Sequence, residues 1–296
     1  MIPIRYVEPV FRPPSEAESL ILPVTDGCSW NECTFCEMYT APQKKFRARD
    51  EAEVLESIRL TGERYGDQVR RVFLADGDAT VLPTRRLLNI LAAIRAHLPA
   101  VRRISSYCLP RNLRKKSQTE VDELAAAGLS MVYVGAESGD DQVLAAVHKG
   151  ETFETTRAAL DKLGAAGITR SVMILNGLGG KVHSRQHAEN SARLANATQP
   201  EYLATLVVSF PLGEQRFRAG FPEWEPLTQH ELFVETEQLL SALELKRTVF
   251  RSDHASNWLV LKGTLGTDKA RLLAQVRQAI ENPEQAHLRP AWARGL

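Results

Sequence analysis

The chain has 296 residues, 44% of them apolar and 25% charged, with a formal net charge of +1. That is enough chain for one large domain or two small ones with a sizeable core, while the balanced charge gives no electrostatic footprint for nucleic acid or an anionic membrane. No apolar run reaches membrane-spanning length, and the proline-rich start "MIPIRYVEPVFRPPSEAES" lacks the apolar core of a signal peptide, so a cytoplasmic location is expected.

Residues 1–19 read as an extended N-terminal arm, broken by Pro13-Pro14, with Ser15 and Glu18 placed to cap a short turn. "SLILPVT" (19–25) reads as a buried strand that runs into a cysteine-bearing loop. Asp50-x-x-Glu53 opens a helix over 51–66, closed by glycine. An alternation follows. A strand followed by a loop is expected in each of 69–79, 130–139 and 169–180, strands at 101–109 and 202–210, and helices at 84–98, 119–128, 151–167 and 184–197. Ser117-x-x-Glu120 is a capping box that opens one helix, and Gly128 closes it. Six strands, mostly separated by helices, predict an α/β fold with a parallel sheet of βα units, two short of a full eight-stranded barrel. Residues 20–210 would form this partial (β/α)6 TIM-like barrel. Beyond it, a loop-like stretch, a helix at 230–245, strand–loop–strand at 247–263 and a helix at 268–280 predict a C-terminal α+β extension over 211–296.

The polar and glycine-rich stretches all follow strands, the edge on which barrels build their sites. Most telling is "TDGCSWNECTFCEMY" (25–39), which places Cys28, Cys33 and Cys36 within nine positions. The fourth cysteine, Cys108, is distant. Four unevenly spaced cysteines in a chain this long are no disulfide framework; in a reducing compartment they point to metal or reactivity. Structural zinc wants four protein ligands, and a cysteine-held iron–sulfur cluster usually takes four as well. Three local thiols without a local fourth suggest a cluster with one open iron; zinc or unliganded thiols remain the alternatives.

The spacing Cys28-x4-Cys33-x2-Cys36 after the first strand, with the aromatic Phe35 before the last cysteine, resembles the radical S-adenosylmethionine (radical SAM) superfamily, where three residues more often separate the first two cysteines. "VFLADGDAT" stands where that family carries a glycine-rich segment ending in an acid. "VYVGAESGDDQVLAAVHKG" and "VMILNGLGG" resemble the fourth- and fifth-strand segments of its coproporphyrinogen-oxidase-like and elongator-like branch, and the tail "FRSDHASNWLVLKGTL" resembles one subgroup of that branch. The resemblance implies that Cys28, Cys33 and Cys36 hold a [4Fe–4S] cluster and that S-adenosylmethionine chelates the fourth iron. Reductive cleavage would then give a 5′-deoxyadenosyl radical that abstracts hydrogen from a substrate, with an external flavodoxin- or ferredoxin-type electron donor.

The same resemblance implies cofactor-binding roles. Asp76, Gly77 and Asp78 would meet the ammonium group, although D-G-D is also a common turn. Glu137 and Ser138 would meet the ribose, or else cap the next helix. Lys149 or Arg170 would pair with the carboxylate, and Asn176 and Gly177 would approach the adenine or ribose, with Phe35 near the adenine. The four-residue gap "SWNE" between Cys28 and Cys33 is expected to bulge the loop without changing the ligation. Cys108, Arg251, Asp253, His254 and Asn257 are candidate substrate contacts; a small buried hydrophobe and a polar hairpin loop are their plainer roles. The substrate, small molecule or peptide, is not legible. One leftover cysteine excludes an auxiliary four-cysteine cluster, and the length leaves no room for a cobalamin domain. A non-catalytic iron–sulfur or SAM-binding regulatory module, or a zinc-stabilised barrel hydrolase, are the rival readings.

Overall fold

A computed structural model describes residues 3–294. They divide into two compact units. The first comprises the chain up to Asn31, Met38–Val134 and Asp161–Arg170; the second comprises Glu32–Glu37, Gly135–Leu160 and the chain from Ser171 onward.

The first unit carries β1 (Leu20–Pro23), β2 (Thr25–Asp26), β3 (Arg47–Ala48), α1 (Glu51–Tyr65), β4 (Arg71–Ala75), α2 (Thr84–His97), β5 (Arg103–Tyr107), α3 (Gln118–Ala127) and most of β6 (Leu129–Glu137). β1, β4, β5 and β6 pair in parallel, with Leu22 opposite Leu74 and Phe73 opposite Ser105. The continuous apolar run Val72–Ala75 is buried along its length, as a strand covered on both faces requires. Leu87, Ile90, Leu91 and Ile94 fall at helical spacing and form the buried stripe of α2. Ser117 and Glu120 form the reciprocal capping box at the start of α3, and Gly128 ends it in the left-handed region.

The N-terminal arm does more than extend. A single 3-10 turn (Pro14–Glu16) buries the Glu16 carboxylate completely. It accepts from Ser19, from Arg103 at 2.9 Å, from Ser105 at 2.9 Å and from the Tyr133 hydroxyl at 2.6 Å. Glu18, the expected capping residue, is exposed.

The second unit carries the end of β6, α4 (Asp141–Ala146), most of α5 (Phe153–Ala165), β7 (Thr169–Asn176), α6 (Gly180–Thr198), β8 (Tyr202–Val207), α7 (Gln215–Gly220), α8 (Gln229–Ala242), β9 (Val249–Ser252), β10 (Leu261–Thr264) and α9 (Lys269–Glu281). The strand order in the sheet is β1-β4-β5-β6-β7-β8-β9-β10. β7, β8 and β9 pair in parallel and β10 returns antiparallel, so the two strands expected in the extension continue the order begun by the six of the core. α4 and α7 have no counterpart in the sequence reading: six residues each are too few to show a helical period. Val143, Val147, Leu178, Phe217, Phe221 and Trp224 form a buried cluster against which Phe35 and Phe210 pack.

Candidate functional site

The cysteine loop leaves β2 through Gly27, which has φ +75° and sits so close to the chain that an added Cβ would lie 2.0 Å from the Lys44 carbonyl oxygen. In the four-residue stretch between Cys28 and Cys33, Asn31 takes the left-handed region, its side-chain amide donates to the Tyr39 carbonyl at 3.0 Å, and Trp30 lies under the Arg111 guanidinium at 3.5 Å. Further along, the Cys36 N–H reaches back to the Cys33 carbonyl at 3.3 Å, the turn that a C-x-x-C pair needs. The Thr34 N–H donates to the Val147 carbonyl, and Arg216 donates to the Cys36 carbonyl.

None of the four cysteines is in a disulfide. Among the described residues, no three His, Cys, Asp or Glu side chains are gathered as a preformed metal site. The fit to a cluster is one of donor chemistry: three thiols on one short loop, two of them at intermediate exposure, are the soft ligands iron–sulfur centres take. Cys108 is 2% exposed, and its thiol points at the Leu109 carbonyl at 3.6 Å. The structure gives it the setting of a small buried hydrophobe.

In the first unit the D-G-D stretch follows β4. Gly77 (φ +89°) packs against the Gly27 carbonyl, so the acidic loop and the cysteine loop touch through backbone there, as well as through the Ser29 hydroxyl on Asp78. The two aspartates differ. Asp76 is ion-paired with Lys44, both side chains almost fully buried, and accepts from the Tyr39 hydroxyl at 3.2 Å. Its charge is already taken up. Asp78 accepts from Ser29 and from the Asn112 amide, with no ion pair to a lysine or arginine among the described residues. Burial pushes both carboxyls up, against those hydrogen bonds. Beside Asp78, the Asn112 side-chain oxygen is buried without a hydrogen-bond partner among the described residues. Asp78 and Asn112 thus present acceptors that want a donor. Asn112 has no sequence signal; it lies in a 3-10 turn after β5.

In the second unit Glu137 ends β6 at φ +65°, in the left-handed region that a non-glycine residue seldom adopts. Its carboxylate accepts from the buried Lys149 ammonium at 3.2 Å. Burial opposes the lysine's charge, but Glu137 and the Cys33 and Cys36 thiols outweigh it and hold its pKa above the ordinary lysine value. The same ammonium faces the Phe35 ring at 5.8 Å. Neither Glu137 nor Ser138 caps the next helix, because Asp140 does so through the Gln142 and Val143 N–H groups. The Ser138 hydroxyl is turned to His187 at 2.8 Å and accepts from the Asp140 N–H.

The glycine-rich loop after β7 is held from downstream. The Gly177 N–H donates to Glu235 at 2.6 Å, its carbonyl accepts from the Trp224 indole at 3.1 Å, and the Asn176 amide donates to Thr236 at 3.2 Å. Ser184 donates to the other Glu235 oxygen at 2.6 Å. Glu235 lies on the buried face of α8 among Leu232, Leu239 and Leu240, so a carboxylate inside an apolar stripe was the available signal.

The remaining candidates lie elsewhere. Arg170 is buried at the start of β7, within 2.5 Å of where a Gly164 Cβ would stand. Arg251 is exposed and bonds its neighbour Phe250's carbonyl. Asn257 is absorbed by β8, accepting from the Val207 N–H and donating to the Thr205 carbonyl. His254 bonds Ser256 at 2.9 Å, and burial and Arg289 hold its pKa down. Asp253 pairs with Lys262 at 3.0 Å. These bonds fit the polar-hairpin role.

No curated protein sequence matches the chain. Among solved structures it is similar to the radical S-adenosylmethionine methyltransferase TsrM from Kitasatospora setae, determined with cobalamin and a [4Fe-4S] cluster bound (20% identity, TM-score 0.52, 63% of this chain and 34% of that one). It is similar to the coproporphyrinogen III oxidase HemN from Escherichia coli, a radical SAM enzyme (16%, TM-score 0.56, 75% and 52%), and to methylornithine synthase, PylB (14%, TM-score 0.55, 92% and 74%). The chain thus spans about a third of TsrM and half of HemN. At these identities the likeness shows the fold, the partial barrel of parallel strands expected from the sequence. The model of the radical SAM superfamily, whose enzymes use a [4Fe–4S] cluster and S-adenosylmethionine, matches residues 22–195, more than half of the sequence. The chain belongs to the radical SAM superfamily.

Proposed function

We propose that this enzyme binds one [4Fe–4S] cluster through Cys28, Cys33 and Cys36 and reductively cleaves S-adenosylmethionine to start hydrogen abstraction from a substrate. The observation that carries the reading is the buried Lys149 ammonium, paired with Glu137 and facing the ring of Phe35, the residue next to Cys36 in the cysteine loop. A buried cation with one carboxylate partner is suited to a second carboxylate, that of the methionine moiety. When bound, the cluster supplies the electron that breaks the sulfonium C–S bond.

The chain's own residues bind and orient. Asp78 and the unpaired Asn112 oxygen offer acceptors to an ammonium group. Glu137 offers a carboxylate oxygen to ribose hydroxyls. Asn176 and Gly177, fixed by Thr236, Glu235 and Trp224, offer backbone to the nucleoside. Phe35 provides an apolar face near the cofactor. Asp76 is reassigned: paired with Lys44, it shapes the loop that carries Asp78.

Anaerobic reconstitution followed by reductant and S-adenosylmethionine tests the proposal. The expected product is 5′-deoxyadenosine. Methylthioadenosine would mean that another C–S bond breaks, and intact S-adenosylmethionine under a strong reductant would reject catalysis in favour of a binding module. Zinc in a colourless protein would reject the cluster.

A further inference from the structure

We infer that the face formed by Arg5, Lys45, Phe46 and Arg47 is the docking surface for a small acidic protein that carries one electron. In the first unit these residues, with Val7, Pro42 and Gln43, line a groove of about 450 Å³. Arg5, Lys45 and Arg47 are exposed, and Phe46 is among the few large apolar side chains left in solvent. Arg47 and Arg49 share the single buried carboxylate of Asp26, at 2.8 and 2.7 Å. With Glu8 beside the groove, four cations face two acids, a local excess of positive charge in a chain whose net charge is only +1. A basic rim around an exposed aromatic is the chemistry that receives an acidic surface.

Position gives the patch its meaning. Its floor, the Lys44–Phe46 backbone, packs directly on Gly27, with 2.0 Å from the Lys44 carbonyl oxygen to where a Cβ would stand. The next residue is Cys28. A carrier seated on this groove is therefore separated from a candidate cluster ligand by little more than one layer of backbone. The transfer is of one electron: the carrier's anionic flavin hydroquinone becomes the neutral semiquinone, the cluster is reduced, and no bond or proton moves. The inference rests on the cluster assignment above.

The test compares the parent with Arg5→Glu/Lys45→Glu and with Arg185→Glu, an exposed arginine outside the groove. Reconstituted proteins are mixed with purified acidic flavodoxin hydroquinone, and cluster bleaching is followed by anaerobic stopped flow. The double variant should react at least about tenfold more slowly at low ionic strength. The difference should shrink in 0.5 M salt, where exposed charges are screened within roughly 4 Å. Arg185→Glu, and reduction by dithionite, should match the parent throughout. A double variant that reacts with flavodoxin as fast as the parent at low salt overturns the docking surface. Calorimetric binding of flavodoxin to the same proteins without cluster gives a separate readout. There the parent should bind and the double variant should not, whatever becomes of the cluster assignment, and equal binding would overturn the surface on its own.

Discussion

Asp76 and Asp78 stand two positions apart in one loop, yet they should respond to substitution in opposite ways. Asp76 neutralises a fully buried lysine. Asp76→Asn leaves that ammonium without its carboxylate and should cost about 3–5 kcal/mol of stability, read by chemical denaturation. Asp78 has no ion pair to a lysine or arginine among the described residues, and burial raises its pKa above the ordinary aspartate value. A carboxyl whose pKa is raised on folding favours the folded state while it is protonated. That contribution is complete below the unfolded pKa and is lost as pH rises through the folded one. Asp78→Asn removes the loss, so above about pH 4 its Tm should equal or exceed the parent's. The same variant should weaken S-adenosylmethionine binding by about tenfold or more, if an ammonium is the missing partner. A fall in Tm with unchanged binding would make Asp78 a structural acid. The sequence placed both aspartates after a strand, which the structure bears out. It could not separate them, because Lys44 and Asn112 reach them from 32 and 34 residues away.

Elements show the same division between what is local and what is not. The Ser117 capping box was legible because both its partners lie within four residues, and Ser117→Ala should cost about 1 kcal/mol. The short turn of the arm was legible but its anchor was not, since Glu16 bonds residues 87 to 117 positions away. Glu16→Ala strands Arg103, Ser105 and Tyr133 and should cost about 3 kcal/mol or more, seen as a lowered denaturation midpoint at unchanged slope. The glycine-rich loop was found from sequence, but its clamp was not. Glu235 and Trp224 lie about 50 residues downstream on stretches read as an ordinary helix and a loop. Glu235→Ala should lower S-adenosylmethionine affinity by about tenfold through a loosened Gly177 peptide. Glu235→Gln, which keeps an acceptor for the Gly177 N–H, should restore most of it. Equal losses in both variants would point to charge rather than position.

At the scale of the whole chain, the order of strands was readable because apolar runs and glycine-closed helices alternate, and parallel pairing follows from that alternation. The strands of the tail were read as an extension; their place beside β8 depends on a register that no local pattern encodes. The bonds that tie Asn257 of the polar hairpin to β8 were not legible for the same reason. What unites the account is one claim, that three thiols on a single loop hold a cluster whose fourth iron takes S-adenosylmethionine. Electron paramagnetic resonance of the dithionite-reduced, reconstituted protein, recorded with and without S-adenosylmethionine, tests it most directly. The reduced protein should give the signal of a [4Fe–4S] centre whose g values shift when S-adenosylmethionine is added and which is lost in Cys28→Ala, Cys33→Ala and Cys36→Ala. No such signal, or one indifferent both to S-adenosylmethionine and to these substitutions, would contradict it.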